Sequence, residues 1–231
     1  DLIDWSLGFG AFDPRERPKH MSLRRLAAVH FKPDGAFWEM CSGYHLYPLA
    51  PFCELAVMGH NLSRMDSSRF PPEQYDMTRA DNTVGTTIRN ALTWFLSIAP
   101  PDQIMPTLGD SMAPRAGMTD YYSTSEIGYR WFGIPEIGEY RELREGKRNW
   151  WALVYGADEI VQQPTGHTSS CLSSGYVALR NDCKGNRTWV GLNALIPGGG
   201  HQHADRLGLL TFSHGKLLAL EKATPYNELV T

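Results

Sequence analysis

The chain has 231 residues, enough for one large domain or two smaller ones with a sizeable hydrophobic core. Its formal net charge is -3 and it has no run of Lys or Arg, so the composition excludes nucleic acid as the main partner. No apolar stretch reaches the length of a membrane span, and we expect no membrane partner. The 4 cysteines form no Cys-x-x-Cys pair, which excludes a zinc ribbon. Free buried thiols are the expected state, with a Cys171–Cys183 pair as the alternative.

The first third of the chain shows apolar residues at helical spacing. A first helix is predicted over residues 22–31, and the turn sequence Pro33-Asp34-Gly35 ends it. A second helix is predicted within the apolar stretch 44–62. In that stretch, Pro48 and Pro51 must lie in the first turn or kink the helix, because proline lacks the backbone N–H that a helix interior requires.

Further helical segments are predicted up to residue 155. Asp81 or Thr83 could cap a helix that runs to about residue 99, where two consecutive prolines end it. A loop over residues 106–114 follows, and short helical pieces rich in Trp and Tyr then cover residues 124–155. The amino-terminal two thirds of the chain is therefore predicted to be mainly helical.

The residue pattern changes after Gly156. Short runs of β-branched or alternating residues, separated by Gly, Asn, Asp and Ser, predict antiparallel strands. These runs cover residues 171–180, 188–195, 206–212 and 216–221. We therefore predict an α+β protein with a helical part over residues 1–160 and an antiparallel β part over residues 161–231.

The stretch 198–226 carries the strongest chemical signal. A triple glycine leads into His201-Gln202-His203, and residues two apart in an extended strand point to the same face. These two imidazoles, with the carboxylate of Glu221 at the end of the returning strand, could form a metal site or a proton-transfer site. An isolated pair of this kind also arises by chance, so the pattern alone does not decide between chemistry and structure.

Two weaker groups lie upstream. Tyr44 and His45 stand beside each other near a predicted helix start, a few residues after Glu39. A phenol titrates near ~10 in water, so Tyr44 needs nearby cations or a metal to act as a base at neutral pH. A packing role for this tyrosine is the alternative. The loop that contains Gly109 and Asp110 could line a cleft, although a structural turn is the simpler interpretation.

Four motifs occur in order along residues 34–226. They are Asp34-Gly35 with Glu39 and Ser42-Gly43-Tyr44-His45; Pro106 to Ser111 as P-x-x-G-D-S; Ser174 to Arg180 as a first sheet strand; and His201-Gln202-His203-Ala204-Asp205, followed by Gly215, Leu217 to Glu221 and Tyr226. Together they resemble the motifs of the heparinase II/III-like polysaccharide lyases, a family that includes oligo-alginate lyases. The shared order is far more specific than any one motif.

This resemblance implies the carboxy-terminal part of an (α/α) toroid, followed by the start of an antiparallel β-sandwich, with the active cleft between them. It also implies that the chain is a segment of a longer enzyme. The implied reaction is β-elimination on a uronic-acid-containing polysaccharide. A base removes the C5 proton, the neighbouring carboxylate is neutralised, and the glycosidic oxygen at C4 leaves with a proton. Such chemistry needs positive charge or hydrogen-bond donors that stabilise the enolate-like intermediate.

The resemblance also implies roles for individual residues. Tyr44 is the catalytic acid and base, and His201 transfers a proton or neutralises the substrate carboxylate. Substrate binding is assigned to His45, Glu39, Trp38 and Arg180. His203 and Glu221 match positions that hold a structural zinc in some members. The implied partner is an acidic polysaccharide or oligosaccharide, either alginate or a glycosaminoglycan. A periplasmic or secreted location is expected, and a homo-oligomer is left open.

Departures from the family pattern keep two other function classes open. Glu221 stands where the family usually has Asp, and the upstream Asn/His motif that neutralises the substrate carboxylate is not visible. A non-catalytic carbohydrate-binding relative of the lyase fold is one alternative. The other is a metal-dependent cupin, in which two histidines on a small β-barrel bind iron or manganese. That pattern requires a Glu shortly after the second histidine, whereas residues 204–208 supply only Asp205.

Overall fold

The computed structural model describes most of the chain. The described residues are 23–102, 108–111, 123–140, 143, 146, 148–161, 168–183, 186–194, 201 and 207–219. Within them, helices occupy the part before residue 156 and strands the part after residue 169. This arrangement confirms the predicted α+β class.

The helices are short except for two that run through the core. Their bounds are α1 (Leu23–His30), α2 (Ser42–Met65), α3 (Pro72–Tyr75), α4 (Thr83–Ile98), α5 (Thr124–Arg130), a 3-10 helix (Pro135–Glu139) and α6 (Trp151–Tyr155). Helices α2 and α4 contribute more buried apolar side chains than the other helices, because their apolar residues recur at helical spacing. Helix α2 begins at Ser42, so Pro48 and Pro51 lie inside it, beyond its first turn.

The cap of α4 differs from the prediction. Asn82 is the N-cap, and its side-chain oxygen accepts hydrogen bonds from the backbone N–H groups of Val84 (3.0 Å) and Gly85 (3.1 Å). These donors have no partner inside the helix, so the cap satisfies them. Asp81, one of the two residues predicted as a cap, instead accepts hydrogen bonds from the guanidinium of Arg79.

The strands form one antiparallel sheet. Within the described residues it has five strands in sequential order: β1 (Ser170–Cys171), β2 (Tyr176–Cys183), β3 (Asn186–Asn193), β4 (Gly208–Ser213) and β5 (Lys216–Ala219). The run predicted as a single strand over residues 171–180 is two strands. The chain turns between them, where the Gly175 N–H donates to the Leu172 carbonyl (2.9 Å) and Gly175 has a φ of 98°.

The two faces of the sheet have different environments. One face is buried against the helices through large side chains such as Tyr176, Trp189 and Phe212. The strand register places Leu179 and Leu209 on the other face, and each is 55% exposed. One layer of helices therefore covers only one side of this sheet.

Asp34 ties the helical part to the sheet. Its Oδ2 accepts hydrogen bonds from the Ser174 N–H (2.6 Å) and the Ser173 hydroxyl (3.1 Å), and its Oδ1 accepts one from the Ala36 N–H (3.1 Å). Partial burial raises the pKa of Asp34, but these hydrogen bonds outweigh it and hold the pKa below its usual value. The neighbouring Gly35 has a φ of 90°, and a Cβ there would overlap the Asn90 carbonyl in α4.

The free cysteines among the described residues differ in their exposure to solvent. Cys41 and Cys53 are free and buried, as predicted, whereas Cys171 on the short strand β1 is free and exposed. In the part of the chain that the structure describes, no helix combines the length and apolar character required to cross a membrane.

Candidate active site

Tyr44 and His201 meet although they lie far apart in the sequence. Tyr44 is in the first turn of α2, and His201 lies in the connection between β3 and β4. Their rings stack with centroids 4.0 Å apart and an interplanar angle of 11°. Both side chains are partly exposed, so a ligand can reach them. The structure thus brings together the two residues to which the sequence assigns the chemistry.

Asp110 holds His201 through both its side chain and its backbone. The Asp110 Oδ2 lies 3.1 Å from Nδ1 of His201, and the Asp110 N–H donates to the His201 carbonyl (3.0 Å). Since an ionised carboxylate can only accept, this contact assigns the hydrogen to Nδ1. Sequence reasoning placed Asp110 in a loop that could line a cleft but did not connect it to His201, and the G-D-S match was the only signal that pointed to it.

Glu39 lies on the other side of the imidazole. Its Oε2 is 3.9 Å from Nε2 of His201, which is an ion-pair distance but too long for a hydrogen bond. The side chains of Glu39 and His201 are 18% and 28% exposed. Of the four predicted substrate-binding residues, Glu39 is the one with a contact to the stacked pair among the described residues.

A loop over residues 108–111 is hydrogen-bonded to the start of α2 beside this pair. The Ser111 hydroxyl accepts the Gly43 N–H (2.9 Å), lies 2.7 Å from the Ser42 hydroxyl, and donates to the Leu108 carbonyl (2.6 Å). The Ser42 hydroxyl in turn accepts the Leu108 N–H (3.2 Å). The loop is therefore fastened to the start of the helix that carries Tyr44.

His45, which the sequence assigns to substrate binding, is placed in the core. Successive helical residues point about 100° apart, so a Tyr44 that faces the site turns its neighbour inward. The His45 side chain is fully buried, stacks on Trp94 with centroids 4.8 Å apart, and donates from Nε2 to the Ala91 carbonyl (2.9 Å). Its role is to join α2 to α4.

Burial of His45 predicts acid sensitivity. Burial lowers the pKa of His45 to about 4, against an ordinary value near ~6.5 in the unfolded chain. Between these values the unfolded state takes up a proton that the folded state does not, so the free energy of unfolding falls as the pH falls through this window. The expected loss is roughly 3 kcal/mol by the acid end of the window.

Denaturant unfolding at neutral pH and near pH ~4.5 would measure this loss, which lies within the titration window. The matched variant is His45→Gln, whose side-chain amide can still donate to the Ala91 carbonyl but does not titrate. We expect the wild type to lose more stability on acidification than the variant. Equal losses in the two proteins would contradict the assignment of acid sensitivity to this histidine.

Arg180, also assigned to substrate binding by the sequence, is placed against the carboxyl end of α4. Its guanidinium donates to the carbonyls of Ser97 (2.8 Å) and Ala99 (2.9 Å) at the end of α4, and to that of Thr168 (2.8 Å). These carbonyls have no partner inside a helix, and a cation at a helix carboxyl end is favourable. Arg180 therefore fastens strand β2 to α4 through hydrogen bonds from Nη1 and Nη2 to backbone carbonyls.

Trp38 packs against the core, and the predicted metal ligands lie outside the described residues. Trp38 is partly buried and packs against the hydrophobic core and the His30 ring, with centroids 6.0 Å apart. In the ranges described above, no group of three His, Cys, Asp or Glu side chains is arranged to hold a metal ion. His203 and Glu221 lie outside the described residues, so the structural zinc stays a prediction.

Comparison with known proteins finds similarity in structure. No protein-family model matches the chain, and no curated protein matches its sequence. A mutant of the heparan sulfate lyase HepC from Pedobacter heparinus matches with a TM-score of 0.57 and 19% identity, over 86% of this chain and 27% of that one. A heparinase III gene product with methylated lysines matches with a TM-score of 0.57 and 20% identity, over 86% of this chain and 26% of that one.

These similarities define the fold. The chain has the fold of one part of the heparan sulfate lyase structures, in agreement with the resemblance of its motifs. It spans 27% of the length of the first of these enzymes and 26% of the second.

Proposed function

We propose that this chain belongs to a polysaccharide lyase that cleaves a uronic-acid-containing polysaccharide by β-elimination. The observation that carries the proposal is the stacked Tyr44–His201 pair, with ring centroids 4.0 Å apart, in a fold shared with heparan sulfate lyases. The same fold favours a lyase over the small barrel of a cupin. The proposal includes an (α/α) toroid for the helices and a β-sandwich for the sheet, whose exposed Leu179 and Leu209 a second layer would cover.

The two rings supply the proton transfers that elimination requires. In the proposed reaction, the Tyr44 hydroxyl first gives its proton to Nε2 of His201. The phenolate then takes the C5 proton and gives it to the C4 oxygen as the glycosidic bond breaks, and His201 returns the proton it held. His201 relays a proton or neutralises the charge that develops on the uronate carboxylate. Two proton-transfer groups held side by side avoid the entropy cost of recruiting them separately.

The carboxylates beside the Tyr44–His201 pair favour some substrates over others. Glu39 and Asp110 place carboxylate oxygens within 4 Å of His201, at 3.9 Å and 3.1 Å. A densely sulfated polymer would be repelled by this pair of charges. We therefore propose an unsulfated uronate polymer, such as alginate, as the preferred substrate, with glycosaminoglycans as the second class. A structural zinc at His203 and Glu221, and a periplasmic or secreted location, belong to the same proposal.

The proposal is tested by incubating the full-length protein with alginate, heparin, heparan sulfate and chondroitin. β-Elimination leaves a C4–C5 double bond on the new end, and its ultraviolet absorbance reports each cleavage. We expect a signal with at least one polymer and a fall of roughly 100-fold to 10,000-fold in the His201→Ala variant.

His214→Ala is the matched control, because His214 lies in the exposed β4–β5 turn and contacts Asn186 and Ser213. We expect this variant to keep wild-type activity. Polymer binding without any double-bond signal would instead identify a carbohydrate-binding protein and reject the lyase.

A further inference from the structure

We infer that Asp110 is a positioning residue for His201. Its carboxylate holds the imidazole in the tautomer with hydrogen on Nδ1, and the loop over residues 108–111 sets the imidazole against Tyr44. The inference rests on the proposed function for its kinetic readout, whereas its spectroscopic readout does not need an active enzyme.

Asp110 contacts His201 at two points. The Asp110 carboxylate oxygen lies 3.1 Å from Nδ1, and the Asp110 N–H donates to the His201 carbonyl (3.0 Å). The backbone contact fixes where the residue lies, and the side-chain contact fixes the rotation of its ring. A backbone contact combined with a side-chain contact to the same residue leaves His201 little freedom for a different rotamer.

Gly109 makes the close approach possible. It has a φ of 62°, in the left-handed region that favours glycine, and a Cβ at this position would overlap the His201 carbonyl oxygen. A side chain here would push the loop away from His201 and break the Asp110 backbone contact. Gly109 is therefore required for the contact between Asp110 and His201.

The other end of the loop is fixed to the helix that carries Tyr44. Ser111 accepts the Gly43 N–H (2.9 Å), and Gly43 directly precedes Tyr44 in α2. The loop thus reaches His201 with one residue and the start of α2 with the next. The separation of the stacked rings is set by this short bridge rather than by the long chain segments on either side.

The tautomer matters for proton transfer. With the Nδ1 hydrogen directed to Asp110, Nε2 is the nitrogen that can exchange a proton with substrate or tyrosine. Glu39 lies 3.9 Å from Nε2, beyond hydrogen-bond distance, and so does not compete for the same tautomer. Loss of the Asp110 carboxylate would let the ring adopt the other tautomer or rotate away from Tyr44.

The test compares Asp110→Asn with a matched change of a carboxylate on the sheet, Asp182→Asn, in the full-length protein. Asp182 is 59% exposed and lies 3.8 Å from Arg187, so its replacement should leave the site unchanged. We expect Asp110→Asn to lower kcat by roughly 10-fold to 100-fold with little change in KM. In spectra of protein labelled with 15N-histidine, we expect the His201 signals to shift away from the Nδ1–H tautomer.

A third variant separates position from charge. Asp110→Glu keeps the carboxylate but moves it by one methylene, so we expect it to behave like Asp110→Asn. Wild-type kcat and an unchanged His201 tautomer in Asp110→Asn would overturn the inference, as would wild-type behaviour of Asp110→Glu. Unfolding of both variants in circular dichroism would also overturn it, because the role would then be structural.

Failure of the proposed function would leave a different pattern. If the wild type eliminates none of the polymers, the 15N spectra alone decide the inference. A tautomer change in Asp110→Asn would then support the positioning role, and an unchanged tautomer would reject it. If the wild type is active and Asp110→Asn keeps both the wild-type kcat and the wild-type His201 tautomer, the lyase proposal stands and the inference is rejected.

Discussion

Replacing Tyr44 by Phe is expected to lower the elimination rate by roughly 100-fold to 10,000-fold while leaving the fold unchanged. The change removes only the hydroxyl, and the ring that stacks on His201 with centroids 4.0 Å apart is kept. The hydroxyl belongs to a partly exposed side chain, so its loss should change the free energy of unfolding by less than about 0.5 kcal/mol. Ultraviolet assays of the double bond, together with denaturant unfolding, measure both quantities.

Tyr47→Phe provides the matched control for this change. Tyr47 lies one turn further along α2, is 70% exposed, and loses the same hydroxyl. We expect the control to retain wild-type kcat and KM. A Tyr44→Phe variant with the activity of Tyr47→Phe would show that the phenol transfers no proton and that Tyr44 only supports the imidazole.

Replacing Arg148 by Met is expected to lower the free energy of unfolding by about 3–5 kcal/mol. Arg148 donates to both carboxylate oxygens of Glu126, at 2.8 Å from Nε and 2.7 Å from Nη2. The Glu126 side chain is only 4% exposed, so removing the arginine leaves a buried carboxylate without its countercharge. Urea unfolding, followed by tryptophan fluorescence, would give this difference.

Two companion variants show whether burial causes the effect. The Glu126→Leu/Arg148→Met double variant removes both charges, and we expect it to recover most of the lost stability. Arg79→Met breaks the exposed pair with Asp81, whose side chain is 65% exposed, and should cost less than about 1 kcal/mol. Similar losses from Arg148→Met and Arg79→Met would show that the Glu126 pair contributes no more than a surface pair.

The helices were the most predictable part of the fold, because their apolar residues repeat at helical spacing over several turns. Local competition between neighbouring residues was harder to predict. The predicted caps were Asp81 and Thr83, whereas Asn82 between them caps α4 and Asp81 pairs with Arg79. The turn between β1 and β2 was missed because Ser173-Ser174-Gly175 stands inside a run of otherwise strand-like residues.

The site was predictable only where several motifs agreed. Tyr44 and His201 were assigned together because their motifs occur in the order of a known family, and the structure places them in contact. The same motifs gave no information about which way a side chain points. His45 and Arg180 lie within the matching segments, yet one faces the core and the other caps a helix. Asp110 was missed because a single G-D-S triplet is also typical of ordinary turns.

The short bridge over residues 108–111 also bears on how this protein can change during evolution. It joins the stacked rings directly, across separations of 68 residues to Gly43 and 91 residues to His201. Loop length adds only slowly to the entropy cost of folding, so the segments between these points can change in length at little cost. Surface turns such as residues 66–69 can therefore gain or lose residues without displacing the stacked Tyr44–His201 pair.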